Sequence, residues 1–269
     1  MSPPRAAHAV DSHVHVFSAT AAVIATARYR PGYAATLARL RTRWATLGVT
    51  HGVIVQPSFF GTDNQEMLAA VASDRDHLRG VAVVDPRWDT DALARLDAAG
   101  VVAMRWNLKG IADYGAMASP EWSALLDRAH ALGWHLECHV DMGRLPEAAS
   151  AIARSGIAVV FDHFGSPGTE PRIRDATFAA VRSLASSRDV GCKLSGPYRQ
   201  AGGEPRDLAA RWLDAVDPGN LVWGSDWPWT GFEATVDDAA LFAQLATWVA
   251  PACRAAILWD NAARLYRFD

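Results

Sequence analysis

The sequence predicts a closed (β/α)8 barrel. Eight short apolar runs, rich in Val and Ile, recur along the chain. Segments with helical periodicity and clear end signals separate them. Strands alternating with helices build βαβ units and a parallel sheet, and eight such units fit 269 residues as one domain, 1–269. No Gly-rich turn follows the first run, which argues against a doubly wound open sheet.

The first strand covers 8–17 and contains Asp11-Ser12-His13-Val14-His15. Side chains alternate, so His13 and His15 share a face with Asp11, opposite Val10, Val14 and Val16. A helix over 33–47 stops at Gly48, and strand two follows over 49–58. A helix over 63–77 leads to strand three, 78–85. The helix over 91–99 stops at Gly100, before strand four, 101–108. There Arg105 and Asn107 face inward, while Val102, Met104, Trp106 and Leu108 face the helices. Ser119-Pro120-Glu121 supplies an N-cap, a proline at the first helical position and an early carboxylate to a helix that stops at Gly133. Strand five, 134–141, turns Trp134, Leu136, Cys138 and Val140 outward and His135, Glu137, His139 and Asp141 inward.

A helix over 144–155 precedes strand six, 157–165, which ends on Asp162-His163-Phe164-Gly165. A helix over 172–186 precedes strand seven, 190–198, with Lys193 and Ser195 inward. The helix over 205–216 leads to strand eight, 221–228, ending on Gly224-Ser225-Asp226-Trp227-Pro228. Helical segments over 237–248 and 251–266 close the chain.

Composition excludes several classes. Half the residues are hydrophobic and the formal charge is -3, with both signs mixed along the chain. No basic stripe points to nucleic acid. No apolar stretch reaches the ~18 residues a spanning helix needs, so no membrane partner is expected. Cys138, Cys192 and Cys253 are odd in number and form no CxxC, which points to a reduced, cytoplasmic setting. Residues 1–7 lack the apolar core of a signal peptide. Eleven tryptophans are read as bulk between sheet and helices.

His13, His15, Arg105, His139, His163, Lys193 and Asp226 converge at the C-terminal strand ends, where barrel enzymes keep their sites. Each has a bland reading. A lone barrel histidine is often hydrogen-bonded core, and Glu137 could pair with Lys193 or with Arg105. Convergence favours function, because so much buried charge is costly unless paired or bound to a ligand. His8 and His51 fall at strand starts, the stability end of a barrel, His77 and His130 on helices as solvated residues, and His135 below His139 as a structural one. Cys138 faces the helices, and no GxSxG elbow supports a serine nucleophile.

The HxH of strand one, His139, His163 and Asp226 resemble the amidohydrolase superfamily. Asp162-His-Phe-Gly165, Trp223-Gly-Ser-Asp-Trp-Pro228 and Asn261-Ala-Ala-Arg-Leu-Tyr266 are similar to its amidohydrolase-related branch. Gln56 to Asn64, Arg105-Trp-Asn107 and Lys193-Leu-Ser-Gly196 resemble its 2-pyrone-4,6-dicarboxylate lactonases and related lactone hydrolases. The chain departs from that group twice. His139 stands where the group carries a tyrosine and works without metal, and Ile111 stands where it carries a second arginine.

The resemblance implies hydrolysis of a small anionic lactone or similar carbonyl ester. In one version a divalent metal, Zn²⁺, is held by His13, His15, His139 and Asp226 and acidifies a bound water. Asp226 takes the proton and His163 polarises the carbonyl. In the metal-free version Asp226 alone activates water, and the histidines stabilise the developing charge. Arg105, Lys109 and Arg199 are expected to bind the substrate anion, with Ser58, Thr62 and Tyr198 adding hydrogen bonds. A metal-dependent decarboxylase of the same branch is the alternative, and a non-catalytic binding protein a more distant one.

Overall fold

Runs of β-branched and aliphatic residues form the strands because they pack well on a pleated surface. The computed structural model describes residues 8–200 and 203–269. The expectation for residues 1–7 lies outside the described residues. The strands are β1 (Val10–Val14), β2 (His51–Val55), β3 (Leu78–Ala82), β4 (Val101–Asn107), β5 (His135–His139), β6 (Val159–Phe161), β7 (Val190–Leu194) and β8 (Leu221–Trp223). They pair in chain order and all in parallel. The ring closes just past β8. Val14 bridges Trp227, the Asp226 N–H donates to the His13 carbonyl, and the His15 N–H donates to the Trp227 carbonyl, both at 2.8 Å. This is the (β/α)8 barrel that the alternation predicted. Gly224 permits the close approach at the seam, since a Cβ there would lie 2.7 Å from the His13 Cβ.

The covering helices are α1 (Leu37–Leu47), α2 (Gln65–Ala72), α3 (Thr90–Ala98), α4 (Pro120–Ala131), α5 (Leu145–Ile152), α6 (Pro171–Ala185), α7 (Pro205–Ala215) and α8 (Asp238–Trp248). Their ends follow the capping chemistry. The Ser119 side chain accepts from the Trp122 N–H ahead of Pro120, and α1 stops at Gly48 in a left-handed conformation. The last helical stretch is divided: α9 (Pro251–Ala255) and α10 (Asn261–Tyr266) flank a π-helical turn. Trp134, Trp212 and Trp223 are fully buried, in the bulk role expected of them.

Two faces of the sheet carry two cores. Val14, Ile54, Met104, Leu136, Cys138 and Leu194 belong to the layer between strands and helices. Val10, Val53, Val55, Val81 and Val222 fill the barrel's lower interior with Tyr266 and Phe268. This corrects the reading of β1. The β1–β2 register slips between Asp11 and Val14, so one extra residue on β1 reverses the alternation. Val10 therefore points in. Asp11 points out, where its carboxylate accepts from Trp44 Nε1 at 3.1 Å and the Ser225 N–H at 2.7 Å. A second slip, between β3 and β4, puts Val102 in the interior core rather than against the helices.

Candidate active site

Each candidate side chain sits where a strand gives way to its loop. His13 and His15 follow the β1 slip, Arg105 lies on β4, and His139 ends β5. His163 follows β6 and Asp226 follows β8, and both adopt left-handed backbone, φ 53° and 60°. Non-glycine residues hold that conformation at a cost of order 1–3 kcal/mol, and such residues cluster at functional sites. The turn takes each side chain off the strand and aims it across the barrel mouth. This is also why β6 and β8 are shorter than the apolar runs suggest.

Asp226 is the focus. Its Oδ2 accepts from Arg199 Nε at 2.5 Å and from the Tyr198 hydroxyl at 2.6 Å. Its Oδ1 lies 3.8 Å from His163 Nε2 and 4.0 Å from His13 Nε2. Burial alone would raise its pKa, but Arg199 and then the histidines override that and hold the carboxyl well below the usual carboxylate range. The histidines go the other way. Burial pushes His15 and His163 down to about 4, and burial with the Lys193 charge pushes His13 well below its ordinary value. All three are neutral at neutral pH. His15 Nδ1 lies 2.7 Å from the Val55 carbonyl, which fixes the proton on that nitrogen and leaves Nε2 a lone pair. His163 Nδ1 lies 2.9 Å from Ser195 Oγ.

These shifts predict a pH effect on stability. Above pH 6.5 the histidines are neutral folded or unfolded; below it the unfolded chain takes protons that folded His15 and His163 refuse until about 4. Stability is therefore full above that window and falls as pH drops through it. Urea midpoints measured from pH 7 to pH 4.5 should decline steadily. A flat profile would contradict the buried neutral state.

Behind these groups lies a dry ionic network. Lys193 Nζ donates to Glu137 Oε2 at 2.5 Å, and Tyr266 donates to Glu137 Oε1 at 2.9 Å. Lys193 Nζ also lies 3.1 Å from His13 Nδ1 and 3.5 Å from Asp162 Oδ1. Arg105 Nε donates to Asp162 Oδ2 at 2.9 Å, and its Nη1 donates to the Gln56 carbonyl. The Lys193–Glu137 pair is the one anticipated. The Arg105–Glu137 pair is not formed; Asp162, from the end of β6, reaches across to Arg105 instead.

The network floors a cavity of about 230 Å³ lined by His15, Ser58, Arg105, Lys109, His139, His163, Arg199 and Asp226. Arg28, from the β1–α1 loop, joins this wall unanticipated. Its signal in sequence was absent, because an arginine in a long loop looks solvated. Thr62 lines an adjoining chamber rather than this one. Four cationic side chains, Arg28, Arg105, Lys109 and Arg199, thus face one carboxylate, Asp226, around the cavity. Asp162 and Ser195 are the other groups absent from the expected site list; the inward position of Ser195 was legible, whereas Asp162 stood in the sequence only as part of the strand-six end.

His13, His163 and Asp226 each offer a ligand atom within 4.8 Å of the others. His13 Nε2 is buried with no hydrogen-bond partner among the described residues. Neutral imidazoles, an ionised carboxylate and an unpartnered nitrogen fit a divalent cation. His15 and His139 stand beside this group, with ring centroids 5.0 Å from His13 and 5.1 Å from His163. Of the four anticipated ligands, His13 and Asp226 come together here, with His163 as the third.

An amidohydrolase family model matches residues 10–268. The chain belongs to the amidohydrolase family. It is 29% identical over 277 residues to a 2-pyrone-4,6-dicarboxylate hydrolase of Comamonas testosteroni, covering 97% of this chain and 90% of the relative. It is 30% identical over 273 residues to a 4-sulfomuconolactone hydrolase of Rhizobium radiobacter, covering 95% and 89%. Among solved structures, a probable 2-pyrone-4,6-dicarboxylic acid hydrolase from Acinetobacter baumannii with citric acid bound superposes with a TM-score of 0.87 at 31% identity. That match covers 97% of this chain and 99% of the other. The amidohydrolase barrel and the lactone-hydrolase resemblance read from the motifs agree with these findings.

Proposed function

We propose that this amidohydrolase barrel, taken as one domain, hydrolyses a small anionic lactone or similar carbonyl ester. One observation carries the reading. A buried, ionised Asp226 faces two neutral histidines at the floor of a cavity whose wall is otherwise cationic. Relatives named as hydrolases of a dicarboxylate and of a sulfonated lactone support the anionic substrate. Arg28, Lys109 and Arg199 would hold the anion. Arg105 contributes charge to the field but is already paired with Asp162.

A water held by Asp226 Oδ1 attacks the lactone carbonyl carbon and gives its proton to the carboxylate; the ring C–O bond then breaks, and Asp226 returns that proton to the leaving alkoxide. In the resting site Asp226 is a weak base, because Arg199 and Tyr198 saturate Oδ2. A substrate anion that draws Arg199 toward itself releases that oxygen and raises the basicity of the carboxylate. Proton acceptance thereby follows substrate binding. In the metal-free version His163 directs its Nε2 N–H at the developing oxyanion while Ser195 holds its other nitrogen; with a cation bound, Nε2 would be a ligand instead and that role would pass to the cation. His13, His163 and Asp226 would hold a divalent cation, and His15 and His139 flank them. Such a cation, Zn²⁺ being the best match to imidazole and carboxylate ligands, acidifies water and polarises a carbonyl.

The decarboxylase alternative has weaker support. The 5-carboxyvanillate decarboxylase structure from Sphingomonas paucimobilis is 13% identical with a TM-score of 0.67, a likeness of fold alone. The described residues contain no helix long and apolar enough to cross a membrane. Free Cys138, Cys192 and Cys253 support a reducing, cytoplasmic setting.

A screen of acidic and neutral lactones on metal-stripped and zinc-loaded protein tests the reading. We expect about one divalent ion per chain, turnover of acidic lactones, and loss of turnover on stripping. Full activity without detectable metal would select the metal-free version. Release of carbon dioxide from a turned-over acid would select the decarboxylase.

A further inference from the structure

The catalytic cavity does not end at its cationic rim. Arg28, Ser58, Arg105 and Lys109 also line a second chamber of about 510 Å³ that opens beside it. Its remaining wall is mostly carbon, with Val83, Val84, Leu108, Met117, Trp106 and Trp122 prominent. The two indoles meet edge to face with centroids 5.3 Å apart. Ile24 and Ile111 complete the wall at 37% and 42% exposure. Among the described residues only four large apolar side chains are that exposed, the others being Met142 and Ile173, so half of them gather at this opening. Scattered exposed apolar residues need no explanation, but a cluster on a concavity marks a binding surface.

We infer that the substrate is an amphiphile: a carboxylated lactone bearing an apolar chain or ring. This rests on the lactone-hydrolase reading and extends it. The inner cavity, about 230 Å³, lies below the roughly 300 Å³ at which ligand pockets usually begin, so it has room for little beyond the reacting ring. Additional bulk must pass the rim. The two spaces adjoin across four shared residues, Arg28, Ser58, Arg105 and Lys109, and the inferred ligand passes that rim to span both. Its carbonyl sits at Asp226, its carboxylate lies among Arg199, Lys109 and Arg28, and its apolar part fills the outer chamber. Ile111 matters most here, since it gives the chamber an apolar face beside the cationic rim.

Binding and turnover are measured separately. Calorimetric titration with cyclopentanecarboxylates carrying no substituent, a propyl group or a benzyl group reads the apolar part without chemistry. Affinity should rise about three- to fourfold per added methylene. The Ile24→Asn, Ile111→Asn double variant should lower the propyl-to-unsubstituted ratio by about tenfold. Both positions are exposed, so the fold should tolerate the change. Equal affinity for all three acids, or an unchanged ratio in the variant, overturns the inference. The matching lactones report on the parent reading. A chain-length gain with the carbocycles and no hydrolysis of any lactone would leave the subsite standing and remove the lactonase assignment. Hydrolysis with one KM across the series would do the reverse.

Discussion

Asp226→Asn should lower kcat by roughly two orders of magnitude or more while the barrel stays folded. The amide keeps the shape of the carboxyl but cannot accept a proton from water at neutral pH. Its oxygen can still accept from Arg199 or Tyr198, so the local hydrogen bonds are kept in part. The loss should fall mainly on kcat, with a smaller rise in KM as Arg199 loses its charge partner. Single-turnover rates and circular dichroism on the same preparation separate chemistry from folding. Near-normal turnover in a folded variant would remove Asp226 from the reaction.

The second large effect concerns stability. Lys193→Met should destabilise the protein by about 3–5 kcal/mol, the usual cost of leaving one member of a buried ion pair without its partner. Both Lys193 and Glu137 are completely buried, so no solvent compensates the stranded carboxylate. Tyr266 and His135 remain beside Glu137 but bring no full charge. The double variant Lys193→Met, Glu137→Gln should recover part of the loss, because it strands no charge. Denaturant midpoints of the three variants and the parent complete the cycle. Equal loss in the single and double variants would mean that the network contributes through packing alone.

The fold was legible because helix caps and apolar periodicity act locally and agree with each other. Gly48, Gly133 and the Ser119-Pro120 start each ended or began a helix where their chemistry demanded. The inward polar faces of β4, β5 and β7 were legible for the same reason, since a simple alternation holds along them near the catalytic end. Asp11 was misplaced because a register slip is a property of two strands together, and nothing in β1 alone announces it. Which carboxylate takes Arg105 was equally hidden. Glu137 is its register neighbour on β5, but Asp162 reaches it from one strand further round. Arg28 lay beyond reach because its position depends on how a long loop folds over the barrel mouth.

The seam of the barrel runs through the carboxylate proposed as the base. The main-chain bond that joins the first strand to the end of the last one is donated by Asp226 itself and received by His13. Asp11, two residues before that acceptor, receives the N–H of Ser225, 214 positions away in sequence. Contacts of such separation form slowly, because the intervening chain must first be brought to order. The candidate site is therefore completed by the same contacts that close the sheet. A chain whose last strand has not docked has neither a continuous sheet nor a base placed against His13 and His163. In a refolding experiment the return of turnover should coincide with closure of the ring; turnover that returns before the β1–β8 seam is protected from hydrogen exchange would contradict this.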